Sequence, residues 1–424
     1  MSASSDGRRQ VVAWALYDWG NSAFATTVMA GFFPIFFKDY WSADADPSES
    51  TFKLGVANSL ASILVALSAP LLGAIADRGA IKKRMLASFA TLGIAMTLGL
   101  YFIGKGDWAS ATLLYVAATV GFSGSIVFYD SLIVAVAAPD ESDRVSALGY
   151  ALGYLGGGLL FSVNVAMTLK PALFGLSDES EAVRVSFVLV ALWWALFTLP
   201  LLLRVPEPPR AKPRERSPLV EGFAQLVATL RRVRSMRQVW LFLLAYWLYI
   251  DGVDTIIRMA VDYGKSLGFA TTSLIIALLI TQFVGFPAAL AFGRLGQRIG
   301  TRRGILIGIA VYIGVTVYGY FMDSEREFYA LAVVIGLVQG GVQALSRSLY
   351  SRLIPPDEAA EFFGFYNMLG KLAAIIGPTL MGWVSLQTGN PRLSILSIAV
   401  LFIAGGALLI GVREPKVARS GEGG

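Results

Sequence analysis

The sequence predicts an all-α membrane protein with twelve transmembrane helices in two pseudo-symmetric six-helix bundles. Composition is the first reason. With 55% hydrophobic and 15% charged residues and a mean hydropathy of +0.63, there is too little polar surface to cover a soluble globule of 424 residues. The second is the recurrence of apolar runs of about 20 residues, the length that crosses ~30 Å of hydrocarbon. The third is a basic, glycine-rich hairpin that occurs twice, 220 residues apart. Gly73-Ala-Ile-Ala-Asp77-Arg78-Gly79 leads into Lys82-Lys83-Arg84, and Gly293-Arg-Leu-Gly-Gln297-Arg298-Ile-Gly300 leads into Arg302-Arg303.

The first predicted span, 11–37, is too long for a cleavable signal, polar inside and without a small-residue cleavage site, so it reads as a true helix. An acidic loop, Asp39 to Thr51, follows it. Spans 53–76 and 85–104 flank the first hairpin. Span 108–135 carries Tyr129-Asp130-Ser131. Span 146–169 carries Gly149, Gly153 and Gly157 at four-residue intervals, a face that lets helices approach closely. Span 185–204 contains Trp193-Trp194 and ends the first bundle, residues 1–204. The polar segment 205–236 is expected to be a cytoplasmic linker holding an amphipathic surface helix. Phe223, Leu226, Val227, Leu230 and Val233 repeat at helical spacing, with Arg231, Arg232 and Arg234 turned to anionic headgroups. The second bundle, 237–424 with a short tail, holds spans 238–262, 270–292, 304–322, 327–351, 362–385 and 392–412. Of these, the tenth repeats small residues at Gly336 and Gly340, and the eleventh is expected to bend at Gly377-Pro378.

Internal alignment supports the duplication. Pro139-Asp-Glu141 matches Pro356-Asp-Glu358 at an offset of 217, and Gly153 matches Gly370 at the same offset. Asp18 pairs with Asp251 at 233, the drift reflecting the longer loop after the first span. Placing both termini in the cytoplasm puts twenty-four of the 35 Lys and Arg residues on that side and eight on the other. That is the asymmetry of the positive-inside rule, so the basic balance of +6 reads as topology and not as a nucleic-acid patch.

Absences bound the chemistry. Without cysteine there is no disulfide or thiolate metal site, and without histidine the usual metal ligand and neutral-pH proton relay are gone. No phosphate-cradling Gly-x-x-x-x-Gly-Lys-Ser/Thr occurs, so no ATP engine, enzyme activity, metal or cofactor is expected. Any transported proton must ride on carboxylates.

The Gly73–Arg84 hairpin resembles the loop between helices 2 and 3 of the major facilitator superfamily. More narrowly, Trp14-Ala-Leu-Tyr-Asp-Trp-Gly-Asn-Ser-Ala-Phe-Ala-Thr-Thr27, Ala245-Tyr-Trp-Leu-Tyr-Ile-Asp-Gly252 and Gln343-Ala-Leu-Ser-Arg-Ser348 through Glu361-Phe-Phe-Gly-Phe-Tyr366 resemble the vacuolar-effluxer-like branch, whose fungal members act in autophagy. These segments come from helices 1, 7, 10 and 11, so the resemblance spans the chain. It implies the major facilitator fold, a midplane cavity and secondary transport by alternating access. It further implies a small polar organic solute, with amino acids as the expected cargo and efflux as the expected direction. One departure stands out. The superfamily often has an arginine in helix 4, whereas here Asp130 occupies the position at which Arg347 stands in the second half.

Eight ionisable residues fall inside predicted spans: Asp18, Asp130, Asp251, Asp254, Arg258, Asp262, Arg347 and Lys371. Each costs at least ~2.5–3.5 kcal/mol at a helix centre, so each must face protein or a wet cavity and find a partner. Asp251, Asp254 and Arg258 share one helix face, with Asp254 and Arg258 spaced for an internal salt bridge. Asp251 reads either as a substrate-ammonium or proton site, or as a structural partner of Lys371 or Arg347. Asp18, with Asn21 and Ser22, is either a cavity wall or a packing cluster. Lys371 is ~13 Å from the inner end of its helix, too far to snorkel easily, and calls for a carboxylate from substrate or protein. Asp77, Arg78, Asp130, Arg144, Arg298 and Arg347, near the cytoplasmic helix ends, are candidate gating residues. The alternative is simple anchoring of loops by positive-inside charge. The expected setting is a monomer in the bacterial cytoplasmic membrane, in contact with lipid, with a small-molecule substrate and protons as the coupling ion. A sugar or drug carrier, a lipid flippase and a non-transporting sensor are the competing readings.

Overall fold

The computed structural model describes residues 5–43, 47–207 and 230–415. Among them lie twelve helices long and apolar enough to cross a membrane: α1 (Asp6–Trp41), α2 (Leu60–Asp77), α3 (Lys82–Phe102), α4 (Trp108–Val136), α5 (Ser142–Leu169), α6 (Glu179–Arg204), α7 (Arg237–Ile257), α8 (Thr272–Ile299), α9 (Thr301–Phe321), α10 (Glu325–Leu353), α11 (Pro356–Thr388) and α12 (Arg392–Ile410). Each overlaps its predicted range. Many ends lie beyond the predicted run, because a helix continues into the polar residues that flank its apolar stretch. Thus α8 stays helical through Arg294, Gln297 and Arg298, and the chain reverses at Gly300, whose φ of 95° suits glycine. The first hairpin turns over two residues, Ala80 and Ile81, with Ala80 at a positive φ of 49°.

Helix ends repeat between the halves. After α6, Glu207 accepts the backbone N–H groups of Lys82 (2.7 Å) and Lys83 (3.0 Å), closing the N-terminus of α3. After α12, Glu414 does the same for Thr301 (3.3 Å) and Arg302 (2.6 Å) at the start of α9. Lys83 Nζ also donates to the Val205 carbonyl, and Arg302 Nη1 to that of Val412, both at 2.7 Å. Each carboxylate satisfies orphan donors and sits at the positive end of a helix dipole. Helix pairing repeats too: α1 packs on α5 and α6, and α3 on α4 and α6, while six helices later α7 packs on α11 and α12, and α9 on α10 and α12. The two sets meet chiefly through α2 against α11 and α5 against α8 and α10.

Leu67, Leu113, Leu192, Leu203 and Leu386 point outward with most of their surface exposed, which calls for an apolar solvent. α1 is wound as π-helix over Phe24–Phe32 and Phe37–Trp41, a form often found beside functional sites. Of the expected surface helix, Phe223, Leu226 and Val227 lie outside the described residues. Its end is helical over 230–235: Val233 is buried, Arg231 and Arg234 are exposed, and Arg232 pairs with Glu358 at 2.5 Å.

Candidate functional site

Mid-molecule, one arginine holds the halves together. Arg347 on α10 is 1% exposed. Its Nη1 lies 3.1 Å from Asp130 Oδ1 on α4 and 3.5 Å from Asp18 Oδ2 on α1. Its Nε donates to Ser146 Oγ and its Nη2 to the Ser146 carbonyl, each at 2.9 Å, fixing it to α5. Tyr129 donates its hydroxyl to Asp18 Oδ2 at 2.7 Å, and Asn367 of α11 donates to Asp130 Oδ2 at 3.2 Å. The guanidinium also lies 4.8 Å from the Trp14 ring centre and 4.3 Å from that of Tyr150. Such a cluster is tolerable in a membrane interior because each charge has several partners.

Asp130 and Arg347 are 217 positions apart, the offset that relates the two halves. A residue can bond its own repeat mate only where both lie beside the pseudo-two-fold axis. The Asp130–Arg347 pair therefore marks that axis. Gly149 makes room for the cluster, since a Cβ there would come within 2.8 Å of Asp18 Oδ2 and the Tyr129 hydroxyl and 2.9 Å of Arg347 Nη2. Gly153 and Gly157 admit Ser22 and Thr26 of α1 in the same way. Tyr129→Phe removes a charge-assisted bond and is expected to lower stability by about 1.5–3 kcal/mol, read as an earlier thermal unfolding midpoint in detergent.

Above this cluster opens a cavity of about 410 Å³. It is lined chiefly by α1, α4, α5, α7, α8, α10 and α11, with smaller contributions from α9 (Val315) and α12 (Ile395, Ile398), and runs from Arg347 to Met322 and Phe328 at the end remote from the hairpins. Asp18, Asn21, Ser22, Asp254, Lys371, Asp130 and Arg347 all line it, with Gln339, Gln343, Tyr150, Tyr154 and Tyr246. Asp251 does not. It is fully buried and turned to α11, where its Oδ1 accepts the Gly377 N–H at 2.9 Å and the Thr255 hydroxyl at 3.2 Å. The side chain of Arg258 lies outside those described.

Toward the hairpins the cavity is closed. Asp77 Oδ1 meets Lys82 Nζ at 2.6 Å, and its carboxylate accepts the N–H groups of Ala360 (3.2 Å) and Glu361 (2.7 Å) at the start of α11. The α5 side of the closure rests on Asp143 and not on its neighbour Arg144, which is exposed. Asp143 accepts from Ser348 (2.5 Å), Thr301 (2.7 Å) and Arg352 (3.2 Å), and Arg352 also bonds Thr301. Arg298 is exposed, while its neighbour Gln297 donates to the Asp140 carbonyl at 3.3 Å. The side chain of Arg78 lies outside those described. Sequence reasoning passed over Tyr129, Ser146, Asn367 and Asp143. The last had a signal, because it follows the repeated Pro-Asp-Glu by two residues.

Over residues 51–422 the chain matches the family described as Vacuole effluxer Atg22 like. It is 38% identical over 408 residues to the Uncharacterized MFS-type transporter YxiO of Bacillus subtilis (strain 168), an alignment covering 96% of this chain and 95% of that protein. Autophagy-related protein 22 of Coccidioides immitis (strain RS) is 23% identical over 532 residues, 96% of this chain and 87% of the relative. Among solved structures, the human organic anion transporter MFSD10 (TETRAN) superposes with a TM-score of 0.74 at 17% identity, over 95% of this chain and 99% of that one. The major facilitator superfamily transporter FucP in the outward conformation gives 0.71 at 13%, over 97% and 99%. These two likenesses speak for the fold alone.

Proposed function

The chain belongs to the Atg22-like vacuole effluxer family of major facilitator transporters, and we propose that its cargo is a small zwitterion of the amino-acid class, exported by proton-coupled alternating access. One observation carries this reading: Asp254 and Lys371, opposite charges on α7 and α11, line one cavity of about 410 Å³. Lys371 offers an ammonium to a substrate carboxylate. Asp254 offers a carboxylate to a substrate amine, with Asp18 deeper on the same path. Asn21, Ser22, Gln339 and Gln343 supply neutral hydrogen bonds, and the volume falls within the usual range for small-molecule sites.

The hairpin end is taken as cytoplasmic, following the basic excess, with both termini on that side of a bacterial cytoplasmic membrane. The cavity then reaches outward while Asp77 and Asp143 hold the inner end shut. In the opposite state the bundles 1–204 and 237–424, joined by the linker 205–236, rock about the Asp130–Arg347 axis. A monomer suffices for this cycle, since the cavity is built within one chain.

The test is release of labelled amino acids, sugars and nucleosides from proteoliposomes, with and without an imposed pH gradient. Selective, pH-responsive release of amino acids supports the reading, and release confined to sugars or nucleosides refutes it. Lys371→Met is expected to raise the amino-acid concentration for half-maximal exchange about ten- to a hundredfold, the worth of one charged hydrogen bond. An unchanged value would remove Lys371 from the site.

A further inference from the structure

The carboxylate that the cavity leaves unused is Asp251. It lies mid-way along α7, fully buried, and forms no ion pair among the described residues. The hydrogen bonds from Gly377 N–H and Thr255 Oγ1 go to Oδ1, and the Ile376 N–H of the same α11 segment also acts on the carboxylate. Oδ2 is buried and meets no hydrogen-bond partner. That asymmetry is the pattern of a carboxylic acid: a carbonyl oxygen accepting two bonds, and a second oxygen carrying the proton. An ionised carboxylate with one bare oxygen in a membrane interior is far costlier than the neutral acid.

Among the described residues, the neighbours place no compensating charge in an ion pair with Asp251. On α7, Asp254 faces the cavity and Tyr249 bonds Ser346 of α10 at 2.7 Å. On α11, Lys371 stands six residues before Gly377 and lines the cavity. From α12, Phe402 packs on Gly252 and stacks on Tyr312 of α9, an uncharged wall. The side chain of Arg258 lies outside those described.

We propose that Asp251 carries the coupling proton, held as the neutral acid in this state and released when α7 and α11 part. The α11 segment it grips precedes Pro378, which interrupts the helix ladder and leaves a natural bend. The contact is close enough that a Cβ on Gly377 would come 1.8 Å from Thr255 Oγ1, so the two helices meet here only through glycine. Loss of the proton from Oδ2 to cavity water leaves a carboxylate that needs donors on both oxygens. Those donors are reached only by separating the helices toward the wet side, where Ile250 and Asp254 already line the cavity. Protonation and the position of α11 are thereby linked. This deepens the reading of a proton-coupled carrier and rests on it.

Infrared difference spectroscopy of the purified protein at neutral pH tests the site without any substrate. Wild type is expected to show the C=O stretch of a protonated carboxylic acid, shifting in D₂O, which disappears in Asp251→Asn and persists in Asp18→Asn. Thr255→Val, which removes one bond to Oδ1, should move the band to higher frequency. Asparagine keeps an oxygen for the Gly377 N–H, so Asp251→Asn should fold. In proteoliposomes it should still exchange labelled for unlabelled leucine, yet lose at least tenfold in accumulation driven by a pH gradient. Absence of the band in wild type, retained pH-driven accumulation in Asp251→Asn, or accumulation driven by sodium in place of protons would each overturn the proposal. Failure of wild type to exchange leucine strikes the cargo reading alone, because the infrared band still decides for Asp251.

Discussion

Arg347→Gln is expected to destabilise the folded protein by about 3–5 kcal/mol, because it strands two buried carboxylates that share one cation. Asp18 and Asp130 line the cavity yet are only 7% and 4% exposed, so cavity water replaces little of what the guanidinium supplies. The loss would be read as a lower thermal unfolding midpoint and a reduced monodisperse fraction in detergent. Mere shape does not explain a loss of that size, and a second substitution shows why. Adding Asp130→Asn to Arg347→Gln removes one stranded charge and should recover part of the loss, so the double variant is more stable than the sum of the singles. Strict additivity would mean that Asp130 and Arg347 do not act as a charge pair. An Arg347→Gln protein as stable as wild type would mean the cluster is not ionised.

The sequence made the helices legible because membrane spans are written in a single variable, the length of the apolar run. The halves were legible because duplication left offsets that survive divergence. Side-chain partnerships were less so, since they depend on rotations of tens of degrees between helices. Asp251 and Asp254 share a helix face at i, i+3 spacing, yet that spacing separates them by about 60° around the axis. Here that is the difference between packing on α11 and lining the cavity. Asp130 and Arg347 were each visible as intramembrane charges, and even as repeat mates. That they touch follows only once the pseudo-two-fold axis is located in space. Arg144 and Arg298 stood out by charge, but Asp143 and Gln297, one residue away, point across the junction because closure is built on helix faces and not on loop charge. Glu207 and Glu414 were invisible as caps, since each acts on a helix that precedes it by more than 100 residues.

Gly73→Val is expected to hold the hairpin end open. A Cβ at Gly73 would lie 2.1 Å from the Ala360 carbonyl oxygen, and one at Gly364 would lie 2.5 Å from Pro70 Cα, so α2 and α11 touch backbone to backbone. No side chain can yield there; the helices themselves must separate. Separation also pulls Asp77 from the Ala360 and Glu361 N–H groups, so the steric and the electrostatic parts of the closure fail together. Overpacking of this kind costs about 1–3 kcal/mol, enough to shift a two-state equilibrium by about 5- to 150-fold. The penalty falls on the closed arrangement only, so the protein should remain folded while its population moves. The chain has no cysteine, which makes a single Ser351→Cys a clean reporter. Ser351 is 8% exposed, bonds only within its own helix, and lies between Arg347 and the hairpins. Maleimide labelling at this position should accelerate about tenfold or more in the Gly73→Val background. An unchanged rate in a folded protein would mean that α2 and α11 do not form the barrier on this side, and that Asp143 on the opposite seam holds the end shut by itself.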